Sequence, residues 1–201
     1  RPDRKSLAVG PGRLLGCAAV ISRDPAARAR SAVVRLVAAM LLVSVAGCTG
    51  AKVNSRAGIP TVVIVTRHAD TDPGSGVLNA TGRERAEALA QLVAPMGVTA
   101  IYSPDLERNL ATVEPLARLS GVEITRKPSV SVFSAGAIAD EILDRHAGGV
   151  IVWVGNVSGN LQAVYGRLGG DGMGPVDYGD LHILTIPPSG AVRVEKRHYG
   201  P

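Results

Sequence analysis

From residue 61 onward, short apolar runs suited to strands alternate with longer segments whose apolar residues recur every three or four positions. The predicted strands are Thr61–Thr66, Val98–Tyr102, Val122–Thr125, Val150–Val154, Leu181–Ile186 and Ala191–Lys196. The predicted helices occupy residues 81–93, 105–117, 137–146 and 157–168. Because strands that alternate with helices favour a covered parallel sheet, the pattern predicts an α/β fold, a three-layer α/β/α sandwich with a mostly parallel central sheet.

Two of the predicted helices have local start signals. Thr81 and Glu84 form a capping box, in which the Thr81 hydroxyl accepts from a first-turn amide while Glu84 reaches back. Ser103-Pro104-Asp105 is the second signal, and it predicts a helix that follows the Val98–Tyr102 strand directly.

The positive charge of the chain is confined to its N-terminal segment. Lys and Arg number 8 and Asp and Glu 2 in residues 1–47, against 14 and 15 in residues 48–201. A nucleic-acid footprint needs basic residues clustered on the folded domain, and residues 48–201 are close to neutral. The balance therefore excludes nucleic acid as a partner.

The segment ahead of Cys48 has the layout of a secretory signal. Arg28, Arg30 and Arg35 precede an apolar run of 11 residues, 36–46. That run is shorter than the roughly 20 residues that a membrane-spanning helix needs. Val45-Ala46-Gly47-Cys48 resembles a bacterial lipobox, which makes Cys48 the predicted lipidation site.

These patterns divide the chain into three parts. Residues 1–47 are the predicted leader and lipoprotein signal peptide, residues 48–60 a tether, and residues 61–201 the folded domain. The expected location is extracytoplasmic, anchored to the bacterial cell membrane through a lipid at Cys48. No cysteine lies within residues 49–201, so no disulfide is expected in the domain.

Polar side chains follow three of the predicted strands. Arg67 and His68 come directly after the first strand, Ser103 leads from the second towards Arg108, and Asn156 follows Gly155 after the Val150–Val154 strand. Ligands of open α/β sheets bind outside the carboxyl ends of the strands. A fixed positive charge beside a potential nucleophile at that edge predicts an anion pocket, with a phosphoryl group as the expected anion.

Residues 61–201 resemble the histidine phosphatase superfamily, which includes phosphoglycerate mutases, acid phosphatases and phosphohistidine phosphatases. Three ordered segments carry the likeness: Arg67-His68-Ala69-Asp70, Leu78-Asn79-Ala80-Thr81-Gly82-Arg83, and Ser103-Pro104-Asp105-Leu106-Glu107-Arg108 with Thr112 four residues on. They are similar to the family's Arg-His-Gly/Ala-Glu signature, its Leu-Thr-x-x-Gly-x segment and its Ser-x-x-Leu-x-Arg…Thr segment.

The resemblance implies a role for each matched residue. His68 would attack phosphorus in line and form a phosphohistidine, while Arg67 and Arg108 hold the non-bridging oxygens. Two guanidinium groups would also lower the pKa of His68 and keep its imidazole neutral. Ser103 and Asn156 are expected to bind substrate. No metal or other cofactor is expected, because the histidines of the chain show no zinc-like spacing.

One position departs from the family pattern. Family members usually have Gly-His after the fourth core strand, where this chain has Gly155-Asn156. Asparagine donates only a neutral hydrogen bond, and loss of one preorganised transition-state donor costs roughly 3 kcal/mol, or about a hundredfold in rate. Two interpretations follow: a weakened phosphatase, or a non-catalytic lipoprotein whose pocket binds phosphate or a partner.

Three carboxylates are candidates for the general acid. Asp70 matches the acid of the family signature, where its side chain either donates a proton or braces the loop. Asp140 and Glu141 lie in the region where many members carry the proton donor. Adjacent acids on a helix more commonly form a solvated face, so the sequence does not choose among the three.

The spacing between motifs favours a hydrolase over a mutase. Arg108 and Asn156 are 48 positions apart, and the predicted strand, helix and strand between them leave little for a lid. An open pocket suits water as the final acceptor, and the expected partner is a phosphorylated small molecule or phosphoprotein outside the cytoplasmic membrane.

Overall fold

The computed structural model describes residues 53–128 and 131–201, and at its centre lies a six-stranded sheet. The strands are β1 Thr61–Arg67, β2 Ala100–Pro104, β3 Ile124–Lys127, β4 Val150–Gly155, β5 Asp180–Ile186 and β6 Arg193–His198. Their order is β3-β2-β4-β1-β5-β6, with β3, β2, β4 and β1 parallel and β5 and β6 antiparallel. The sheet is therefore mostly parallel, as the sequence predicts.

Four helices among the described residues cover the sheet. They are α1 Ala80–Val93, α2 Glu107–Ser120, α3 Ala135–Arg145 and α4 Leu161–Arg167. Short 3-10 turns at Ala94–Met96 and Val132–Ser134 follow α1 and precede α3. No helix among the described residues has both the length and the apolar character to cross a membrane.

Alternation along the buried strands separates the core into two clusters. In β1, Val63 and Val65 pack with α3 and α4, whereas Ile64 packs with α1 and α2. Trp153 of β4 belongs to the first cluster and its neighbour Val152 to the second. Because successive side chains of a strand point to opposite faces, the two clusters fill the two faces of one sheet. The three-layer α/β/α prediction is confirmed.

The predicted capping box at the start of α1 is wrong. The Asn79 Oδ1 accepts the Gly82 N–H at 2.9 Å, so Asn79 is the N-cap and Thr81 lies within the first turn. The Asn79 N–H donates to the Asp70 carbonyl at 3.1 Å, which holds Asn79 in extended conformation at the mouth of the helix. That conformation is the one an N-cap residue requires.

The second predicted helix start is also wrong. Ser103 and Pro104 belong to β2, opposite Arg126 and Lys127 of β3, and α2 begins only at Glu107. Pairing with a neighbouring strand therefore outweighs the local Ser-Pro-Asp signal. The shift keeps Arg108 in the first turn of α2, close to the carboxyl end of β2.

The predicted leader, its signal and Cys48 lie outside the described residues, as does the start of the predicted tether. Residues 53–60 form no helix or strand. Within them the Ser55 N–H donates to the Pro187 carbonyl at 2.9 Å, and the Ser55 hydroxyl lies 2.8 Å from that of Thr61. This stretch is bonded to the start of β1 and to the end of β5.

Candidate active site

The register of the two central strands places His68 beside Asn156. Arg67 of β1 pairs with Gly155 of β4, and the His68 N–H donates to the Gly155 carbonyl at 3.1 Å. His68 and Asn156 are thus the first residues beyond two adjacent parallel strands. Arg67, His68, Arg108 and Asn156 are called the anion cluster below.

One ring nitrogen of His68 is engaged in a hydrogen bond to the backbone. Its side chain is 7% exposed, and Nδ1 lies 2.8 Å from the Ala69 carbonyl oxygen. A carbonyl only accepts, so Nδ1 carries the proton and Nε2 keeps its lone pair in the neutral ring. Burial lowers the pKa of His68 to about 4, and the guanidinium charges of Arg108 and Arg67 act in the same direction. The neutral, nucleophilic form therefore predominates at neutral pH.

Arg67 is fixed by the segment that joins α4 to β5. Its Nη1 donates to the Val176 carbonyl at 2.8 Å, and its guanidinium carbon lies 3.8 Å from the centre of the Tyr178 ring. The same ring is 5.8 Å from that of His68. The Arg67 Nε is buried and has no hydrogen-bond partner among the described residues. Buried donors are normally paired, so this N–H is an exception that a bound acceptor would satisfy.

Arg108 reaches the cluster from the first turn of α2. Its Nε and Nη2 donate to the Asn156 Oδ1 at 3.2 and 2.9 Å. The Asn156 Nδ2 in turn donates to the Asn109 Oδ1 at 3.1 Å. Asn156 is 3% exposed and Asn109 is fully buried. The carboxamide of Asn156 therefore spans two consecutive residues of α2.

Thr112 ties α2 to the loop that follows His68. Its hydroxyl accepts the Ala69 N–H at 2.9 Å and donates to the Arg108 carbonyl at 2.7 Å. One buried hydroxyl thus fixes the backbone on both sides of the cluster. This is a physical reason for a threonine four residues after Arg108.

Asp70 braces the loop rather than entering the cluster. Its carboxylate pairs with the Arg85 Nε at 2.6 Å, and Arg85 is 4% exposed. The remaining donors of Arg85 bind the carbonyls of Tyr199 at 2.7 Å and Pro201 at 2.5 Å. A buried guanidinium shared in this way holds the loop against the last residues of the fold.

The structure does not bring the other predicted site residues into the cluster. The hydroxyl of Ser103 is buried and donates to the adjacent Pro104 carbonyl at 2.8 Å. Glu141 accepts from the Lys127 Nζ at 2.5 Å and from the Tyr102 hydroxyl at 3.3 Å. Asp140 is exposed on α3, where it lines a groove with residues 53–56. None of these polar groups bonds to His68, Arg67 or Arg108 in the described part of the chain.

Sequence reasoning missed two contributors. Asn109 stands beside Arg108, four and seven positions before Val113 and Leu116 of the buried helix face, and that spacing is the signal that could have found it. Tyr178 lies in the connection between α4 and β5, far from every motif, and no local pattern marks it. The prediction of an open pocket considered only the stretch between Arg108 and Asn156, whereas Tyr178 reaches Arg67 from a later segment.

Within residues 53–128 and 131–201 there is no group of three or more His, Cys, Asp or Glu side chains arranged to hold a metal ion. The polar groups of the anion cluster are instead donors, apart from the imidazole Nε2 and the engaged Asn156 oxygen. Such a set suits an oxyanion.

Part of the chain matches a known protein family. Residues 63–147 match the histidine phosphatase superfamily (branch 1). The matched range contains all three recognised segments, from Arg67 to Thr112, and ends before Asn156. No curated protein matches the chain.

Solved structures show the same fold. The protein histidine phosphatase SixA in complex with tungstate is 14% identical with a TM-score of 0.56, over 68% of this chain and 96% of that one. Phosphoserine phosphatase from Entamoeba histolytica is 16% identical with a TM-score of 0.53, over 70% and 97%. A mycobacterial glucosyl-3-phosphoglycerate phosphatase solved with VO3 is 15% identical with a TM-score of 0.52, over 71% and 99%.

Proposed function

We propose that this chain is a membrane-tethered phosphomonoester hydrolase of the histidine phosphatase superfamily, acting through a phosphohistidine at His68. The observation that carries the proposal is a neutral imidazole with a free Nε2 beside two guanidinium groups from different strand ends. Both charges contribute to the lowered pKa of His68. A nucleophile and two cationic groups in one place are what phosphoryl transfer from a monoester dianion needs.

The reaction follows from that arrangement. The His68 Nε2 attacks phosphorus and forms an N–P bond while the bond to the ester oxygen breaks, and the departing alkoxide takes a proton from solvent to become the alcohol. Water then attacks the same phosphorus and the N–P bond breaks. The water gives one proton back to solvent, and inorganic phosphate leaves with His68 neutral again. Arg67 and Arg108 stabilise the charge on the non-bridging oxygens in both steps.

The comparisons support a phosphorylated substrate. The proteins with this fold include ones named as a protein histidine phosphatase, a phosphoserine phosphatase and a glucosyl-3-phosphoglycerate phosphatase. What they share is a phosphoryl group, whereas the molecule that carries it differs. For this chain we propose a phosphorylated small molecule or phosphoprotein.

The tether is a separate part of the proposal and rests on the sequence ahead of Cys48. Basic residues, a short apolar run and the Val45-Ala46-Gly47-Cys48 ending support export and lipidation. A Cys48→Ser variant expressed in a bacterium should lose labelled fatty acid and move out of the membrane fraction. Retention of both label and membrane association in that variant would remove the tether from the proposal.

The test of the catalytic proposal compares two arginines. The full chain, purified in detergent, should release phosphate from members of a broad phosphomonoester panel. Arg67→Ala should lower kcat/KM about a hundredfold, because it removes one preorganised cation. The matched control is Arg193→Ala, an exposed arginine of β6. Equal activity of the two variants, or no phosphate release by the wild type, would contradict the proposal.

A second function is favoured by one observation. The position of the usual second imidazole holds Asn156, whose oxygen is already bonded to Arg108. A non-catalytic lipoprotein that binds phosphate or a partner would need only the two guanidinium groups. Binding of orthovanadate with micromolar affinity but no turnover on the panel would select this function over hydrolysis.

A further inference from the structure

The carboxamide of Asn156 is engaged at both of its polar atoms. Its Oδ1 accepts two N–H groups of Arg108, at 3.2 and 2.9 Å, and an amide oxygen has two lone pairs. Its Nδ2 donates to Asn109 at 3.1 Å. Both lone pairs of the Asn156 oxygen and one of its two N–H donors are thus used in hydrogen bonds within the protein.

The bonds are arranged so that Arg108 keeps its outer donors. The guanidinium has five N–H groups, and Asn156 takes the one on Nε and one on Nη2. Two N–H groups on Nη1 and one on Nη2 remain, which is the edge that binds an oxyanion in a bidentate manner. Asn156 therefore fixes the inner side of the guanidinium and leaves its outer edge for a ligand.

The backbone of Asn156 makes it a rigid anchor. The residue follows β4 directly, and its carbonyl accepts from the Gly159 and Leu161 N–H groups at 3.0 and 3.3 Å. Asn109, its other partner, is fully buried in α2. An imidazole at this position offers a single acceptor nitrogen, so it could not accept both Arg108 donors on one atom.

From this geometry we propose that Asn156 is a positioning residue, which holds Arg108 in the orientation that binds the phosphoryl group and does not itself bind that group. The inference rests on the proposed function of the anion cluster. It gives Asn156 a role different from the substrate contact that the sequence suggests. It also means that the cluster contains one imidazole, and that the hold on Arg108 does not titrate with pH.

A double-mutant cycle tests the role. Asn156→Ala should lower kcat/KM about tenfold in the wild-type background, since it removes two hydrogen bonds to a charged group. In an Arg108→Ala background the same substitution should change kcat/KM by less than about twofold, because residues that act as a unit are not additive. Independent losses of about tenfold in both backgrounds would overturn the proposal, since they would mean that Asn156 contacts the substrate itself.

A second measurement separates failure of this inference from failure of the proposed function. The ¹H–¹⁵N signal of the Arg108 Nε in the full chain, assigned from its absence in Arg108→Ala, reports the bond to Asn156 with no substrate present. The signal should be protected from exchange in the wild type and lost to exchange in Asn156→Ala. It should survive in Asn156→Asp, which keeps acceptor oxygens at the same place.

The outcomes are distinct. If the wild-type signal is protected, Asn156→Ala removes it and the chain shows no turnover, the hydrolase proposal fails while the anchoring of Arg108 by Asn156 is supported. The double-mutant cycle is then measured on orthovanadate affinity instead of kcat/KM. A signal equally protected in wild type and Asn156→Ala overturns the inference whatever the activity. The backbone amide spectrum of each variant shows that it is folded.

Discussion

Two histidine-containing clusters of this fold differ in how their charge is balanced. His68 lies beside Arg67 and Arg108, and Asp70, the nearest carboxylate of its loop, is paired with Arg85 instead. His146 bonds through Nε2 to the Tyr102 hydroxyl at 2.9 Å, in a cluster where Glu141 is neutralised by Lys127. Burial lowers the pKa of both imidazoles.

The difference in charge balance shows which feature distinguishes an anion-binding site. In the His146 cluster Glu141 pairs with both Lys127 and Arg145, and the hydrogen bond from Lys127 is the main cause that lowers the pKa of Glu141, so both cations have a carboxylate partner. In the anion cluster, Arg67 retains a buried donor with no partner in the described part of the chain. A histidine near charged residues is therefore common to both places, whereas at His68 the two guanidinium groups have no carboxylate partner among the described residues.

The largest expected effect contrasts the two histidines directly. His68→Gln should reduce kcat/KM by at least about a thousandfold, because the nucleophile is lost. His146→Gln should leave kcat/KM within about twofold, since its ring contacts Tyr102 and no member of the anion cluster. Steady-state kinetics on the same phosphomonoester checks both. A large loss of kcat/KM in folded His146→Gln would contradict the difference between the two clusters.

The pH dependence of stability should report the low pKa of His68. The unfolded chain binds a proton at His68 near pH 6.5, and the folded chain only near 4. Stability is therefore complete above pH 6.5 and falls as the pH falls towards 4, by roughly 3 kcal/mol for this group.

Urea unfolding of wild type and His68→Gln between pH 4 and 7.5 measures that contribution. His146 and His182 also have lowered pKa values, so both proteins lose stability on acidification. The wild type should lose more than the variant. Parallel curves would mean that His68 is not held neutral by its surroundings.

Two glycines, Gly82 beside the His68 loop and Gly136 on α3, allow the packing around the two clusters to be compared. A Cβ at Gly82 would lie 2.2 Å from the Asp70 carbonyl oxygen, a backbone atom that cannot move without shifting the His68 loop. Gly82→Ala should destabilise the fold by about 2 kcal/mol or more. Gly136 in α3 has no atom nearer than 3.9 Å to its Cβ position, and Gly136→Ala should be neutral or stabilise by up to about 1 kcal/mol. Similar midpoints for the two variants in urea would argue against the close approach at Asp70.

The smallest effect tests whether Asp70 only braces the loop or also donates a proton to the leaving group. Asp70→Asn should lower stability by about 1 to 2 kcal/mol, because it weakens a partly buried ion pair with Arg85. Its effect on kcat should be the same for a phenol and an alkyl alcohol as leaving group. A loss of kcat that grows with the pKa of the leaving group would identify Asp70 as the proton donor instead.

The arrangement of elements was predictable because it depends on periodicity, which is local. The apolar runs of β1 and β4 predict strands covered on both faces, and the residues after parallel strands meet at one edge of the sheet. The helix starts were harder to predict, because they depend on contacts with distant residues. A backbone hydrogen bond to Asp70 selects Asn79 as the N-cap, and pairing with β3 keeps Ser103 and Pro104 in a strand.

The details of the site were not predictable for a related reason. Arg67 and Asp70 are each held by a partner from a remote part of the chain, Tyr178 for the first and Arg85 for the second. Nothing in the letters Gly155-Asn156 indicates that the carboxamide turns towards Arg108. Such partnerships depend on side-chain geometry in the folded state, which composition and spacing do not encode.

The most direct test of the central claim is to trap the covalent intermediate. The full chain is mixed with a ³²P-labelled monoester, quenched in alkali and digested, and the labelled peptide is sequenced by mass spectrometry. The account predicts label that is stable in alkali, labile in acid, located on His68 and absent from His68→Gln. Turnover that leaves no label on His68, or label on another residue, would contradict it.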